Sequence, residues 1–151
     1  MAGEAKLGQG TEARKISFVK EGEPFLNRQF SRILAVLERF SLPIKVSTTF
    51  PDTFRSRVAA EGLLSFAGTY QRTVQLQISL GSTNPTEREK LTAMATLPFE
   101  EIRKFGERWF NGTHGSHRRE INLSFTLSSQ GSPSLQRWKE LRHPLLVEIH
   151  L

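Results

Sequence analysis

Two histidines and a glutamate in a glycine-rich loop have the composition of a metal or acid–base site. The stretch NGTHGSH places His114 and His117 three residues apart, and Glu120 follows shortly after. Two imidazoles at this spacing can share a metal ion, and a carboxylate can add an oxygen ligand. The other two histidines of the chain belong to the C-terminal segment, so no third imidazole is close in sequence. We therefore predict a polar loop here, with no metal and no cofactor.

A small hydrolase, such as a ribonuclease, needs a general acid and a general base held on rigid elements around a cleft. Glu148 and His150 share one face of a predicted terminal strand, and His114, His117 and Glu120 are the other candidates. A solvated strand face would show the same two residues, and nothing else in the sequence converges on them. We predict that the protein is not an enzyme and keep a small hydrolase as the least favoured alternative.

A basic cluster occupies residues 103–119 and is the strongest candidate binding site. It consists of Arg103, Lys104, Arg108, Arg118 and Arg119. The chain carries a net charge of +6, and such a surface attracts the phosphates of lipid or nucleic acid. The alternative is a solvated helix face on which the arginines pair with Glu100, Glu101 and Glu107. We predict binding of anionic lipid or ribonucleoprotein at this cluster and leave the alternative open.

Aromatic residues stand next to basic ones at several points of the chain. Trp109 and Phe110 are adjacent in a predicted helix and cannot both face its buried side, so we predict an apolar patch for a partner or a membrane. Pairs such as Phe54-Arg55 are typical of single-strand nucleic-acid binding. A small basic RNA-binding protein, such as a viral silencing suppressor, is accordingly the main alternative function.

Two stretches alternate apolar and polar residues with a period of two, which indicates extended strands. The first, residues 69–81, has apolar side chains at Val74, Leu76, Ile78 and Leu80, and the second, residues 121–127, has them at Ile121, Leu123, Phe125 and Leu127. We expect the two strands to lie side by side, with helices covering their apolar face. The polar face of the first strand is uncharged, and we expect it to be either solvated or a flat surface that a neighbouring subunit contacts.

Helices with an apolar stripe are predicted at 25–40 and 53–66, a short one at 85–95, another from Pro98, and one at 133–142. The buried face of the helix at 53–66 is predicted to consist of Phe54, Val58, Ala59, Leu63 and Phe66. They alternate with strands in two strand–helix–strand units, at about 44–81 and 118–151. We predict an α+β fold with one mainly antiparallel sheet and helices packed on one face. Residues 1–14 are predicted to form a flexible arm, and residues 15–151 a single globular domain.

Composition narrows the classes of function. The chain has no cysteine, which excludes disulfides, thiolate catalysis and cysteine-ligated metals. No apolar run reaches the ~18 residues that a membrane-spanning helix needs. The first residues lack the apolar core of a signal peptide, so we expect no secretion.

The stretches KVSTTFPDTFRSRVAAEGLLSFAGTYQRTVQLQISLGST and REINLSFTLSSQGSPSLQRWKELRHPLLVEIHL together cover about half of the chain. In the order of their strands, helices and turns they resemble the matrix proteins of rhabdoviruses. The resemblance implies a viral structural protein that self-associates beneath the envelope and bridges anionic membrane and ribonucleoprotein during assembly and budding. It implies a location in the virion and in the host cytoplasm or at the inner membrane surface, and leaves the nucleus open. Two departures are a first segment that is not rich in lysine and the lack of a Pro-Pro-x-Tyr motif.

Overall fold

Five strands form one parallel sheet at the centre of the protein. The computed structural model describes residues 14–18, 22–82, 84–115, 119, 121–126 and 146–150. The strands are β1 (Ile16–Phe18), β2 (Ile44–Thr48), β3 (Val74–Ser79), β4 (Ile121–Thr126) and β5 (Leu146–His150). They lie in the sheet in the order in which they occur in the chain, and all four neighbouring pairs are parallel.

Helices form the connections between the first four strands. They are a 3-10 turn at Pro24–Leu26 followed by α1 (Phe30–Leu37), then α2 (Phe54–Thr69), and finally α3 (Pro85–Thr92) and α4 (Phe99–Gly112). α2 contacts both α1 and α4, so these three helices form one layer. Parallel strands are joined by right-handed crossovers, and consecutive crossovers in one direction put every helix on the same face of the sheet.

The prediction of an α+β fold with a mainly antiparallel sheet is wrong, because every strand pairing is parallel. The strand–helix–strand unit at 44–81 was recognised correctly as β2, α2 and β3, whereas the helix of the second unit lies outside the described residues. A helix between neighbouring strands returns the chain to the edge where it began, which makes those strands parallel. The misleading signal was the clean alternation in β3. Such alternation is typical of antiparallel sheets that have one solvent-exposed face, whereas parallel strands are usually apolar on both faces. The expectation that β3 and β4 are neighbours is confirmed.

The hydrophobic core lies between the helix layer and one face of the sheet. The sheet contributes side chains that alternate along each strand, among them Val46, Leu76, Ile78, Leu123 and Phe125, all 1 % exposed or less. The helices contribute Leu34, Leu63, Ile102, Phe105 and Trp109 to the same cluster. Phe25 lies beside Phe50, with ring centroids 5.3 Å apart, and joins the first connection to the end of β2.

Helix α2 faces the sheet mainly with small residues, and its predicted buried stripe is confirmed only at Ala59 and Leu63, with Phe66 half-buried against the core. Its buried residues are Ser56, Ala59, Ala60, Leu63 and Ala67. Phe54 and Val58, which were predicted to be buried, are 84 % and 49 % exposed. Small side chains let a helix approach its neighbours closely, and periodicity could not distinguish the alanine stripe from the larger apolar residues beside it.

Local signals set several helix ends as predicted. Asn84 is the N-cap of α3, and its side chain accepts a hydrogen bond from the Thr86 backbone N–H at 2.9 Å, with Pro85 at the first helical position. Helix α1 begins later than predicted, since Asn27 has an extended backbone that separates it from the preceding turn. The predicted arm lies outside the described residues apart from Arg14, and the predicted helix at 133–142 lies wholly outside them.

Ala93 ends α3 in the left-handed conformation, with φ at 53°. This conformation strains an alanine but not a glycine, so Ala93→Gly should raise the free energy of unfolding by roughly 0.5–1 kcal/mol. The matched control is Ala35→Gly on the exposed side of α1, which should lower it by about 0.5–1 kcal/mol. Urea denaturation of both variants measures the difference, and equal losses of stability in the two would contradict the assignment of strain.

Candidate functional site

The sheet face opposite the helices is lined by uncharged polar side chains with one lysine. We call it the polar face; it consists of Lys45, Ser47, Gln75, Gln77, Ser79, Asn122 and Ser124. The parallel register places these residues side by side: Lys45 lies next to Gln75, Gln77 lies between Ser47 and Asn122, and Ser79 lies next to Ser124. Residues in register on parallel strands point to the same side, so the three rows form one continuous surface.

The hydrogen-bonding capacity of the polar face is largely unused. Asn122 is 2 % exposed and the other members are half-buried. Within the described part of the chain, none of their side chains takes part in a hydrogen bond. An amide offers two donors and two acceptor sites, and groups held on a rigid sheet keep their positions. The face can therefore present fixed donors and acceptors to a molecule placed against it.

At the carboxyl end of β2, the Glu23 carboxylate joins the first connection to the sheet. It accepts hydrogen bonds from the Thr48 hydroxyl at 2.5 Å, and from the Thr49 backbone N–H and hydroxyl at 2.8 and 2.9 Å. The Phe25 backbone N–H, at 3.1 Å, is a fourth donor. With both oxygens engaged, Glu23 holds this edge of the sheet in place and is a structural group.

Arg88 is the least expected residue at this edge. It lies on α3, directly after β3, and is only 1 % exposed. Its Nη1 donates to the Leu97 carbonyl oxygen at 2.8 Å, and Nε and Nη2 have no partner in the described part of the chain. Burial lowers the pKa of Arg88 to about 10, so the guanidinium remains charged at neutral pH. Keeping it charged in the folded state costs on the order of 3 kcal/mol.

The loop that follows α3 accepts the hydrogen bond of Arg88 at Leu97. The same loop is hydrogen-bonded to the residues just after β2. The Leu97 N–H donates to the Phe50 carbonyl at 2.8 Å, and the Asp52 N–H donates to the Ala95 carbonyl at 2.9 Å. A single bridge between Pro51 and Thr96 lies between these two bonds. The Arg88 guanidinium therefore sits at the carboxyl edge of the sheet, where open α/β sheets bind their ligands.

The arginines of the predicted basic cluster are engaged in ion pairs. Arg103 pairs with Glu100 at 2.6 Å and with Glu107, and Arg108 pairs with Glu61 on α2. The hydrogen bonds to Glu100 and to Glu61 raise the pKa values of Arg103 and Arg108 respectively. The alternative interpretation, arginines compensated on a solvated helix face, thus describes Arg103 well. Exposed ion pairs contribute little to stability, about 0–1 kcal/mol each.

The rest of the cluster is dispersed. Lys104 is exposed on α4. The Arg119 Nε donates to the Ala67 carbonyl at the end of α2, so part of its donor capacity serves the fold. Arg118 lies outside the described residues. The structure therefore brings Arg103, Lys104 and Arg108 together on one helix, but it neutralises two of the three locally.

Trp109 and Phe110 separate as the helix geometry requires. Trp109 is 2 % exposed and its Nε1 donates to the Arg119 carbonyl at 2.7 Å, so it belongs to the core and offers no surface patch. Phe110 is 38 % exposed and is the member of the pair that reaches the surface. Its ring also packs close to Gly115, where an added Cβ would lie 2.9 Å from the ring.

The histidine candidates do not assemble into a site within the described residues. His114 is exposed, with φ at 57°, and His117 and Glu120 lie outside the described range. On β5, Glu148 and His150 take register positions beside Ser124 and Thr126. No group of three metal-ligating side chains occurs in the part of the chain that the structure describes.

A groove of about 420 Å³ lies between α2 and α4. Phe50, Leu97 and Phe105 are among its lining residues, and its charged residues are Arg57, Glu61, Glu101, Lys104 and Arg108. Arg57 pairs with Glu101 at 2.6 Å and with Asp52 at 2.7 Å. Since the carboxylates already compensate the two arginines, only Lys104 adds an unbalanced charge to this groove, and we favour the polar face as the functional surface.

Sequence analysis missed Arg88 and noted only part of the polar face. The uncharged residues of β3 were recognised, but their rows with β2 and β4 depend on the register. Arg88 gave no signal, because its helix is only weakly amphipathic and exposed arginines are common on such helices. Neither residue type nor spacing could have shown that this particular guanidinium is buried.

No protein-family model matches the chain, and no curated protein is significantly similar to it. Among solved structures, the crystal structure of Streptococcus suis SuiB bound to S-adenosylmethionine is similar, with 12 % sequence identity and a TM-score of 0.41. The similar region covers 91 % of this chain and 39 % of that chain. The likeness is too distant to assign a fold family or a ligand. The described residues include no helix that is long and apolar enough to cross a bilayer.

Replacing Glu23 tests the role of its carboxylate at the carboxyl edge. Glu23→Gln keeps the size of the side chain but removes the charge that strengthens the accepted hydrogen bonds, so unfolding free energy should fall by about 2–3 kcal/mol. Glu38→Gln, at the exposed C-terminal end of α1, is the matched control and should change stability by less than about 0.5 kcal/mol. Urea denaturation is the measurement, and a Glu23→Gln protein as stable as the control would show that the bonds contribute little.

Proposed function

We propose that the protein is a binding domain that takes a small polar molecule on the polar face, at the carboxyl edge of its sheet. The observation that carries this proposal is a face of a parallel sheet that none of the described helices covers, lined by hydrogen-bonding side chains that have no partners among the described residues. A parallel sheet usually has both faces covered by protein. Here the second face instead has the composition of a binding surface.

The chemistry of the polar face defines the class of ligand. Two glutamine amides, with several hydroxyls around them, suit a molecule with many donors and acceptors, such as a nucleoside, an amino acid or a sugar. Lys45 is the single charged member, so the face itself accepts at most one negative group. Ligands of open α/β sheets bind at the carboxyl ends of the strands, which places Gln77, Ser79 and Ser124 nearest to the proposed ligand.

A thermal-shift screen with nucleosides, amino acids and monosaccharides as the probes tests the proposal. A ligand present at about 100 times its Kd stabilises the folded state by about 2.7 kcal/mol. For a chain of this size that corresponds to a rise in Tm of roughly 5–10 °C. A protein whose Tm responds to none of the three classes would contradict the proposal.

Gln77→Leu should remove the amide at the centre of the polar face and weaken binding of any probe found in that screen by about tenfold or more, because a lost polar contact leaves ligand groups unpaired. Gln71→Leu is the matched control, since Gln71 is exposed in the turn before β3 and lies off the polar face. Isothermal titration calorimetry gives both Kd values. Equal affinities of the two variants would place the ligand elsewhere.

A second candidate function is the one that the resemblance to matrix proteins implies: self-association and peripheral contact with anionic membrane and ribonucleoprotein, in the virion and at the inner surface of the host membrane. The net charge of +6 and the exposed Lys104 favour it. The antiparallel sheet expected alongside that resemblance is not present, and the resemblance therefore supports this candidate less than the polar face supports the first.

Co-flotation with vesicles of anionic phospholipid tests the second candidate. Lys104→Glu should weaken vesicle binding at least about fivefold, since each basic residue near the surface contributes ~1 kcal/mol. Lys90→Glu on α3 changes the net charge equally and should have a smaller effect. A strictly monomeric protein that does not float with vesicles would exclude the matrix function, and tight RNA binding without lipid binding would favour the RNA-binding alternative.

A further inference from the structure

Arg88 is a buried cation with part of its hydrogen-bonding capacity unused. The side chain is 1 % exposed, and Nη1 alone has a partner, the Leu97 carbonyl oxygen at 2.8 Å. Nε and Nη2 are buried and donate to no group in the described ranges. These two nitrogens carry parallel N–H groups along one edge of the guanidinium. That edge is the one to which a carboxylate or a phosphate binds through two oxygens at once.

No carboxylate in the described part of the chain balances the charge of Arg88. The neighbouring Glu87 is engaged elsewhere, because it accepts a hydrogen bond from the Ser82 hydroxyl at 2.5 Å. The ion pairs of the helix layer involve Arg57, Arg103 and Arg108. Buried charges in proteins are paired, since an uncompensated one is strongly unfavourable. An anion at the Nε–Nη2 edge would accept from both unused donors and compensate the charge.

The position of Arg88 connects it with the proposed ligand site. α3 follows the carboxyl end of β3, and Leu97, which holds the guanidinium, is bonded to Phe50 just beyond the carboxyl end of β2. The loop that holds the guanidinium through Leu97 begins at Ala93, whose left-handed backbone is strained. Since Arg88 is 1 % exposed, an anion reaches its guanidinium only when neighbouring residues move.

We propose that Arg88 binds an anionic group, a carboxylate or a phosphate, of the ligand that the polar face accepts, through two parallel hydrogen bonds from Nε and Nη2. This inference rests on the proposed function and narrows its ligand class to molecules with an oxyanion next to a polar body. Amino acids and nucleotides meet that description, and neutral sugars and nucleosides do not.

The test compares the wild-type chain with Arg88→Met in sodium chloride, sodium phosphate and sodium acetate at one ionic strength, with Tm as the readout. Phosphate or acetate should stabilise the wild-type protein relative to chloride, and the anion with the larger effect identifies the preferred group. Arg88→Met should lose the response, with apparent affinity for that anion lowered by at least about 30-fold. In chloride, Arg88→Met should be as stable as the wild type or more stable, because it no longer buries an unpaired charge.

Arg103→Met is the matched control, because it removes an arginine that is already paired with Glu100 and Glu107. This variant should keep the full response to the anion. If Arg88→Met does not fold, the Nε–H resonance of Arg88 in the wild-type protein provides the second measurement, and it should shift during titration with the preferred anion. A wild-type protein indifferent to both anions, or an equal response in Arg88→Met, would overturn the inference.

The two proposals fail in different ways. Binding of a neutral nucleoside or sugar that depends on Gln77 but not on Arg88 would overturn the anion inference and leave the polar-face proposal intact. An anion response that depends on Arg88 but is unchanged in Gln77→Leu, with no polar probe bound, would support the anion site and contradict the polar-face proposal.

Discussion

The parallel pairing of neighbouring strands in chain order is the constraint on which the rest of the structure depends. Each crossover must return the chain from the carboxyl edge to the amino edge, and right-handed crossovers that advance in one direction keep their helices on one face. That face becomes the core, because α1, α2 and α4 bury the apolar halves of β2, β3 and β4 against themselves. None of the described helices lies on the other face, and its side chains are the ones proposed to bind a ligand.

The carboxyl edge combines structural groups with the proposed binding groups. Both carboxylate oxygens of Glu23 accept hydrogen bonds from the end of β2, so this carboxylate stabilises the fold and is not available to a ligand. Arg88 differs, since it makes one hydrogen bond to the loop and keeps two donors unused under burial. Arg103 and Arg108 of the predicted basic cluster also differ from Arg88, because they lie at the surface of α4 and pair with carboxylates. Charge alone therefore did not single out Arg88, whereas burial without a full set of partners did.

Much of the local structure followed from sequence patterns. The alternation of Val74, Leu76 and Ile78 identified β3, and Asn84 with Pro85 identified the start of α3. Phe54 of α2 was assigned to the core wrongly, since the alanine residues of this helix pack against the sheet and Phe54 lies on the surface. Trp109 and Phe110 show what helix periodicity leaves undecided. Two adjacent aromatic residues cannot both lie on the buried side of one helix, but only the packed structure shows that Trp109 is the buried one.

The sequence by itself determined where the strands and helices lie, because periodicity, caps and prolines act within a few residues. It also determined that the outward side chains of β3 are uncharged. Only the tertiary structure decided that the strands are parallel, that Gln77 stands beside Ser47 and Asn122, and that the Arg88 guanidinium is buried. Strand direction, register and burial arise from contacts between segments far apart in the chain, and these contacts override local propensity.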